Sequence, residues 1–255
     1  MKKYLKKISL LNKLNQYLLQ RKLLRKFLFC SKEEENHIKF YSQFIKKGDL
    51  VFDVGANVGC RTKLFLNLDA NVIAFEPQPE LCEHLSSYLS VHKNFKLQQT
   101  ALGEKVGQET IHMCDAHVLS SMSQRWISAT KRARFKNYEW NKEIIVNVST
   151  LDNQIAKHGL PKFIKIDVEG YELEVIKGLS QKVPFISIEF TAEDIQNSFR
   201  CIDTLKNLGS FKSSYSYAEE LSLNSPWMNP DDLVKKLSNI CDKNPQCWGD
   251  IYIRF

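Results

Sequence analysis

Apolar residues occur in short runs along the middle of the chain, and turn residues bound each run. Runs of this length predict buried strands, because a helix would show a longer pattern with a 3.6-residue period. Leucines between the runs do recur at helical spacing, as at Leu81, Leu85 and Leu89. Alternating strands and helices predict a doubly wound α/β fold. The main apolar runs lie at 50–54, 71–75, 163–168 and 184–190.

Two further segments, 108–114 and 143–149, alternate apolar and polar residues and predict half-exposed strands. The stretch between them, 115–142, is the least regular part of the chain and combines basic with aromatic residues. An insertion on the ligand side of such a sheet is expected to cover a substrate. Its basic and aromatic side chains either grip an anionic or sugar-bearing acceptor or form a solvated loop, and the sequence favours neither.

The turn after the first buried strand combines an acid with two glycines. Asp53 lies near the end of the strand, and Gly55 and Gly59 allow a tight turn before a helix begins. A strand, a glycine turn and a helix form the cofactor-binding corner of a doubly wound sheet. A dinucleotide fingerprint would need glycines at positions 55, 57 and 60, but Asn57 and Cys60 occupy the last two. An NAD-dependent oxidoreductase is therefore a distant alternative.

Glu76 follows the second buried strand. A carboxylate at this position can accept hydrogen bonds from both hydroxyls of a ribose. The acid on the first strand, Asp53, suits a cationic group better than a pyrophosphate. S-adenosylmethionine carries an ammonium group and a ribose but no phosphate, so the two acids together predict this cofactor.

Five segments together resemble the FkbM family of S-adenosylmethionine-dependent methyltransferases. In chain order they are VFDVGANVG, VIAFEPQPE, TALGEK, STLD and FIKIDVEGYELEVIKG, and they fall within about residues 50–190. The resemblance implies a seven-stranded, Rossmann-like class I methyltransferase sheet with a terminal antiparallel strand pair, which 211–217 and 248–255 would supply, plus N-terminal helices. It also implies that the turn at 101–103, after a strand expected at 95–100, lies near the adenine. The residues expected to bind the cofactor are Asp53, Gly55, Ala56, Asn57, Gly59, Glu76, Pro77, Ala101, Leu102 and Asp167.

Asp167 and Glu169 lie at the carboxyl end of the apolar run at 163–168, and Glu189 lies near the end of the run at 184–190. Methyl transfer to a hydroxyl needs a base for the hydroxyl proton, and a buried carboxylate beside a second acid has a raised pKa that suits this role. We therefore predict these three acids as catalytic. Alternatively, Asp167 only orients the cofactor, Glu169 caps the next helix and Glu189 is a solvated strand end. Carboxylates also suit Mg²⁺, but the spacing demands no metal and we predict none.

The basic character of the chain resides in its first thirty residues, which contain nine Lys and Arg and no acid. These charges interrupt the apolar residues too often for a secretory signal or a membrane span. Leucines near helical spacing predict a basic amphipathic helix. This helix either binds an anionic membrane or an anionic partner, or it packs on the catalytic domain with its lysines exposed to solvent. A second helix is expected at 31–45, and the predicted division is a helical segment at 1–48 and a methyltransferase domain at 49–255.

The seven cysteines form no C-x-x-C pair and no zinc-binding spacing. Scattered free thiols and the missing signal predict a reducing, cytoplasmic compartment, with peripheral membrane contact through residues 1–30 as an addition. Cys60 is interpreted as a packing residue, and His84 as a surface residue of the helix after Glu76.

These features predict an S-adenosylmethionine-dependent methyltransferase that O-methylates a hydroxyl of a small molecule, sugar or lipid-linked glycan by in-line transfer. Nucleic acid is a weaker candidate acceptor, because the chain lacks the Asn/Asp-Pro-Pro-aromatic tetrapeptide of many base-amine methyltransferases. The alternative is a catalytically silent binding module that docks through its basic N-terminal helix. The intact acids and turn glycines favour the enzyme. We further expect Gly55→Val or Glu76→Ala to abolish cofactor binding without unfolding the protein.

Overall fold

The computed structural model describes residues 34–218, 220 and 222–255. The basic segment at 1–30, with its expected amphipathic helix, lies outside the described residues, as does the expected start of the second helix at Ser31. Within the described part of the chain, no helix is both long enough and apolar enough to cross a membrane.

Helices and strands alternate through most of the described chain. The helices are α1 Glu34–Tyr41, α2 Cys60–Asn67, α3 Pro79–Leu89, α4 Gln124–Lys131, α5 Leu151–His158, α6 Glu172–Lys177, α7 Ile195–Lys206 and α8 Pro230–Lys243. The strands are β1 Leu50–Val54, β2 Asn71–Phe75, β3 Phe95–Gln98, β4 Ala101–Leu102, β5 Gly107–Met113, β6 Lys142–Ser149, β7 Phe163–Ile166, β8 Phe185–Thr191, β9 Lys212–Tyr217 and β10 Trp248–Arg254. Short 3₁₀ turns lie at His117–Leu119 and Ala192–Asp194.

Seven strands form the main sheet in the order β3-β2-β1-β7-β8-β10-β9. The first five are parallel, whereas β10 runs antiparallel to both β8 and β9. The structure therefore confirms the predicted doubly wound, Rossmann-like sheet with its terminal antiparallel pair. The strand order reverses between β1 and β7, and ligands of such sheets bind at the carboxyl ends of the strands at this switch point.

A second, three-stranded sheet was not predicted. Its order is β4-β6-β5, with β6 parallel to β4 and antiparallel to β5. The sequence does predict β5 and β6 as half-exposed strands, but it gives no indication of their pairing. Because β5 and β6 are neighbours, the irregular segment 115–142 leaves and re-enters the fold at one end of this small sheet.

Two helix ends differ from the sequence prediction. Helix α1 ends at Tyr41, and turns continue the chain to Phe44 instead of a helix to Ile45. The sequence predicts a helix that Asn229 and Pro230 open and that runs through Leu237, but helix α8 continues to Lys243. Its buried positions include Leu233, Leu237 and Cys241, so the four-residue spacing of its apolar face extends one turn further than expected.

One interpretation of a single residue is wrong and another is incomplete. His84 is fully buried, and its ring lies 4.8 Å from that of Tyr88 on the same helix, so it is not a surface residue. Cys60 contacts the Val58–Leu81 cluster as a packing residue would, but it is also disulfide-bonded. The thiol pattern thus no longer argues for a reducing compartment. The free, buried thiols are Cys82, Cys114, Cys201, Cys241 and Cys247.

An aromatic cluster fastens α1 and the turn after it to one face of the main sheet. The ring of Phe44 stacks on Tyr252 of β10 at 5.3 Å and on Phe163 of β7 at 5.7 Å. Tyr41 meets Phe163 and the α2 residue Phe65 edge to face. All five side chains are buried. This packing fixes α1 and α2 against the face of the sheet near the amino end of β7, since Phe163 is the first residue of that strand.

We expect Phe163→Ala to lower the free energy of unfolding by about 3–5 kcal/mol, because it removes a buried ring and leaves a cavity between its aromatic neighbours. Urea denaturation monitored by circular dichroism measures the change. Val91→Ala is the control, because Val91 is 79% exposed and its replacement should cost no more than about 0.5 kcal/mol. Similar losses in the two variants would contradict the assignment of Phe163 to the core.

Candidate functional site

A cavity of about 650 Å³ lies at the carboxyl ends of β1, β2 and β7, at the switch point of the sheet. Its lining includes nine of the ten residues expected to bind the cofactor: Asp53, Gly55, Ala56, Asn57, Glu76, Pro77, Ala101, Leu102 and Asp167. The tenth, Gly59, is instead the N-cap of α2. The expected catalytic residue Glu169 also lines the cavity, whereas Glu189 lies outside its lining and borders a smaller pocket.

The turn after β1 is closely packed against the end of β7. Gly55 has a φ of +83°, in the left-handed region that favours glycine. A Cβ atom at this position would collide with the carbonyl oxygen of Asp167. The expectation that Gly55→Val spares the fold is therefore wrong, because any side chain here must displace the end of β7.

Glu76 is held by the backbone of the turns on either side of it. The amide N–H of Asn57 donates to Oε2 and that of Gln78 donates to Oε1, each at 2.9 Å. Glu76 is only 2% exposed, and burial raises its pKa to about 7 despite these hydrogen bonds. Each carboxylate oxygen keeps capacity for a further hydrogen bond, so Glu76 can accept from hydroxyl groups of a ligand.

Asp53 is also buried beside the cavity. The hydroxyl of Thr62, in the first turn of α2, donates to its Oδ2. Burial raises the pKa of Asp53 to about 6, although Thr62 and Lys165 act to lower it. The contribution of Thr62 could not be read from the sequence, because a threonine inside a helix is an ordinary residue.

Asp167, Glu169 and Glu189 form an acid cluster, in which one oxygen atom of each carboxylate lies within 4.8 Å of the others. Burial and the neighbouring Asp167 carboxylate raise the pKa of both Glu169 and Glu189 well above the usual value. At least one of these acids can therefore hold a proton near neutral pH. A single divalent cation could also reach all three carboxylates, so any test of the cluster needs a chelator arm.

Glu172 orders the turn that presents the acid cluster. Its Oε1 accepts hydrogen bonds from the amides of Val168, at 3.2 Å, and Gly170, at 3.0 Å. The alternative capping role of Glu169 is not observed: Tyr171 is the N-cap of α6 and no side chain of the described residues caps it, and the side chain of Glu169 lines the cavity. The sequence signal for Glu172 is an acid in the first turn of a helix just after a glycine.

Part of the segment 115–142 covers the cavity, as its position in the sequence predicts. The hydroxyl of Ser121 donates to the carbonyl oxygen of Glu169 at 2.6 Å. Trp126 packs directly on Gly170, where a Cβ atom would collide with the indole. The residues of this segment that line the cavity are His117, Val118, Ser120, Ser121 and Met122.

The basic and aromatic residues of this segment hold it in place. Arg134 pairs with Glu193 at 2.6 Å, and Arg125 pairs with Asp194 at 3.0 Å, both in the 3₁₀ turn after β8. The indole N–H of Trp140 donates to the carbonyl oxygen of Leu119 at 2.7 Å. None of these residues is in the cavity lining. These contacts hold the segment 115–142 in place over the cavity. The sequence analysis considered acceptor binding and a solvated loop for these residues, but not this structural role.

Three basic residues of the cavity lining escaped the sequence prediction: His37 of α1, Arg61 of α2 and Lys165 of β7. Lys165 did leave a signal, since it is a charged residue in an otherwise apolar strand. A charge at a buried position is normally paired, and Lys165 contacts both Asp167 and Asp250. His37 left no such signal, because only the packing of α1 brings it to the cavity.

Comparison with known proteins agrees with this architecture. The curated hexuronic acid methyltransferase AglP of Haloferax volcanii is 26% identical over 171 residues, which cover 62% of this chain and 63% of that protein. The chain thus spans less than two thirds of this relative's length.

Two solved methyltransferase structures are similar to this chain at a low level. Precorrin-6y C5,15-methyltransferase from Geobacter metallireducens has a TM-score of 0.47 and 10% identity, over 88% of this chain and 90% of that one. An rRNA methylase from Streptococcus thermophilus has a TM-score of 0.42 and 11% identity, over 85% and 92%. These likenesses are too distant to carry an argument about function.

The sequence profile of the family described as "Methyltransferase FkbM domain" matches residues 53–211. The matched range includes the glycine turn, Glu76 and the acid cluster, and it is more than half of the chain. The chain therefore belongs to the FkbM methyltransferase domain family.

Proposed function

We propose that this methyltransferase uses S-adenosylmethionine to O-methylate a hydroxyl group of a sugar or a glycan. The observation that carries the proposal is the arrangement of Asp53, Glu76 and the acid cluster around one cavity at the switch point of the sheet. The two buried acids beside the glycine turn, Asp53 and Glu76, suit a ligand that has a cationic end and a ribose. The acid cluster would lie where a methyl acceptor meets that ligand.

The cofactor fits the donor and acceptor groups of this cavity. Glu76 would hold the ribose hydroxyls, since its carboxylate oxygens keep acceptor capacity beside the two backbone amides that fix them. Asp53 and Asp167 would face the ammonium group. Ala101 and Leu102, both buried in β4, would give an apolar surface for the adenine. When bound, S-adenosylmethionine supplies a methyl group on a sulfonium centre.

The acceptor side of the cavity has a base and a cover. Glu169 would take the proton of the acceptor hydroxyl, because its raised pKa makes it a stronger base than an ordinary carboxylate. The clamped segment 115–142 would exclude water and hold the acceptor in line, which alone can contribute several kcal/mol to the rate. A sugar acceptor is supported by the name of the relative from Haloferax volcanii, which describes a hexuronic acid methyltransferase.

A catalytically silent binding module is the second candidate. The proposed docking segment, residues 1–30, lies outside the described residues, and the observed acids and glycine turn favour the enzyme. Incubation with labelled S-adenosylmethionine and a panel of hexuronic acid and neutral sugar glycosides separates the two candidates. Transfer of label to a glycoside supports the enzyme, whereas cofactor binding without transfer to any glycoside contradicts the proposed acceptor class.

Protonation of Glu76 should weaken cofactor binding. Its pKa is about 7 without ligand, and only the carboxylate form can accept from both ribose hydroxyls. We expect the dissociation constant for S-adenosylhomocysteine, measured by calorimetry, to rise about tenfold from pH 8 to pH 6. Glu76→Gln should bind weakly at both values and keep only the roughly twofold change that protonation of Asp53, with a pKa of about 6, would cause. A tenfold pH dependence that persists in Glu76→Gln would contradict this assignment.

Unfolding at the lower pH does not explain such a loss. Because the pKa of Glu76 is raised from its usual 4.5 to about 7, the native state binds more protons than the unfolded chain between these values. This group therefore stabilises the unliganded protein as pH falls from about 7 to about 4.5, and destabilises it as pH rises. Melting temperatures at pH 6 and pH 8 provide the control.

Replacement of the proposed base should slow methyl transfer without loss of cofactor binding. We expect Glu169→Gln to lower kcat by about 10²–10⁴-fold, with little change in the affinity for S-adenosylhomocysteine. Glu104→Gln is the control, since Glu104 is an acid with a half-exposed side chain, paired with Lys177 outside the cavity. An unchanged kcat in Glu169→Gln would rule out the base. Loss of activity in EDTA that Mg²⁺ restores would instead assign the acid cluster to a metal ion.

A further inference from the structure

Lys165 is a buried cation at the edge of the cavity. It is 1% exposed and lies on β7 in register with Asp53 of β1 and Ser187 of β8. Its Nζ lies 3.1 Å from Oδ2 of Asp167 and 2.8 Å from Oδ1 of Asp250. Since β8 separates β7 from β10, the side chain must pass over β8 to reach Asp250. The small side chain of Ser187 leaves room for this crossing.

The ammonium group of Lys165 has one donor to spare. It carries three N–H donors, and Asp167 and Asp250 accept two of them. Among the residues that the structure describes, no third acceptor lies within hydrogen-bond distance of it. Because Lys165 and Asp167 both line the cavity, an oxygen atom of a ligand next to the acid cluster can accept the remaining hydrogen.

Lys165 acts as a fixed charge and cannot serve as a base. Burial works to lower its pKa, but the carboxylates of Asp167 and Asp250 raise it well above its usual value. Its positive charge also acts on the carboxyl groups of Asp53, Glu169 and Glu189, where it favours the ionised form. A permanent cation with a free donor thus acts on both the proposed cofactor acid Asp53 and the proposed base Glu169.

We propose that Lys165 is a catalytic residue that donates a hydrogen bond to the nucleophilic oxygen of the methyl acceptor. The inference rests on the proposed O-methyl transfer. In that step the acceptor O–H bond breaks and its proton passes to Glu169. The new O–CH₃ bond forms as the S–CH₃ bond breaks, and the electron pair of the broken S–CH₃ bond stays on sulfur. Lys165 keeps its protons throughout and stabilises the negative charge that develops on the oxygen.

Replacement of Lys165 alone would mix two effects, because it also leaves the buried Asp250 and the partly exposed Asp167 without their cationic partner, and the loss at Asp250 is costly for stability. The test therefore compares Asp250→Asn with the double variant Lys165→Met/Asp250→Asn. Both lack the ion pair between β7 and β10, and only the first keeps the ammonium group. Melting temperature and calorimetric affinity for S-adenosylhomocysteine are measured first for both variants.

Initial rates are then measured with labelled S-adenosylmethionine and two probe acceptors, p-nitrophenyl β-D-glucuronide and p-nitrophenyl β-D-glucoside. We expect kcat of the double variant to lie about 10²–10³-fold below that of Asp250→Asn, with affinities for S-adenosylhomocysteine that agree within about threefold. Lys165→Arg, which retains a cationic donor, should keep more activity than Lys165→Met. Equal kcat values in Asp250→Asn and the double variant would overturn the proposal.

Two further outcomes separate this inference from the proposed function. If the double variant loses affinity for S-adenosylhomocysteine as much as it loses rate, Lys165 supports the cofactor site and the proposal is overturned. If wild type binds S-adenosylhomocysteine but methylates neither probe, the proposed acceptor class is contradicted. The same variants are then compared in the slow methyl transfer to water, which presents the same kind of oxygen to Lys165. An equal rate in both variants would again overturn the role of Lys165.

Discussion

The backbone of the turn after β1 approaches the end of β7 so closely at Gly55 that no side chain fits between them. This contact is the constraint on which the site depends, since it brings the carboxyl ends of β1 and β7 together at the switch point of the sheet. Asp53 and Asp167 consequently line the same cavity. The same turn donates the Asn57 amide to Glu76, so one glycine position sets the geometry of three acids.

Several acids lie around one cavity, and each is stabilised by a different kind of partner. Backbone amides hold Glu76, a helical hydroxyl holds Asp53, and the ammonium of Lys165 pairs with Asp167. Burial nevertheless raises the pKa of Asp53 and Glu76. The site is therefore short of positive charge without its ligand. A cofactor with a sulfonium and an ammonium group would supply it, which gives a physical reason for the proposed specificity.

Local pattern was sufficient for the parts of the structure that neighbouring residues determine. The apolar runs predicted the main strands, and the glycine spacing at 55 and 59 with the acid at 76 located the cavity. Most of the unpredicted features join distant parts of the chain. Arg134 reaches Glu193, Lys165 reaches Asp250 across another strand, and His37 reaches the cavity only through the packing of α1. The prediction that His84 lies at the surface failed because helical spacing alone does not show which faces of a helix other parts of the chain cover.

Calorimetric titration of the folded protein with S-adenosylhomocysteine, with NAD as the matched ligand, shows which cofactor the cavity takes. We expect binding of one S-adenosylhomocysteine per chain and no detectable binding of NAD, because Asn57 and Cys60 replace the glycines that a dinucleotide site needs and four acids line the cavity. Failure to bind S-adenosylhomocysteine, in a protein whose melting curve shows a cooperative fold, would overturn the assignment of the cavity to S-adenosylmethionine and leave the silent binding module as the better explanation.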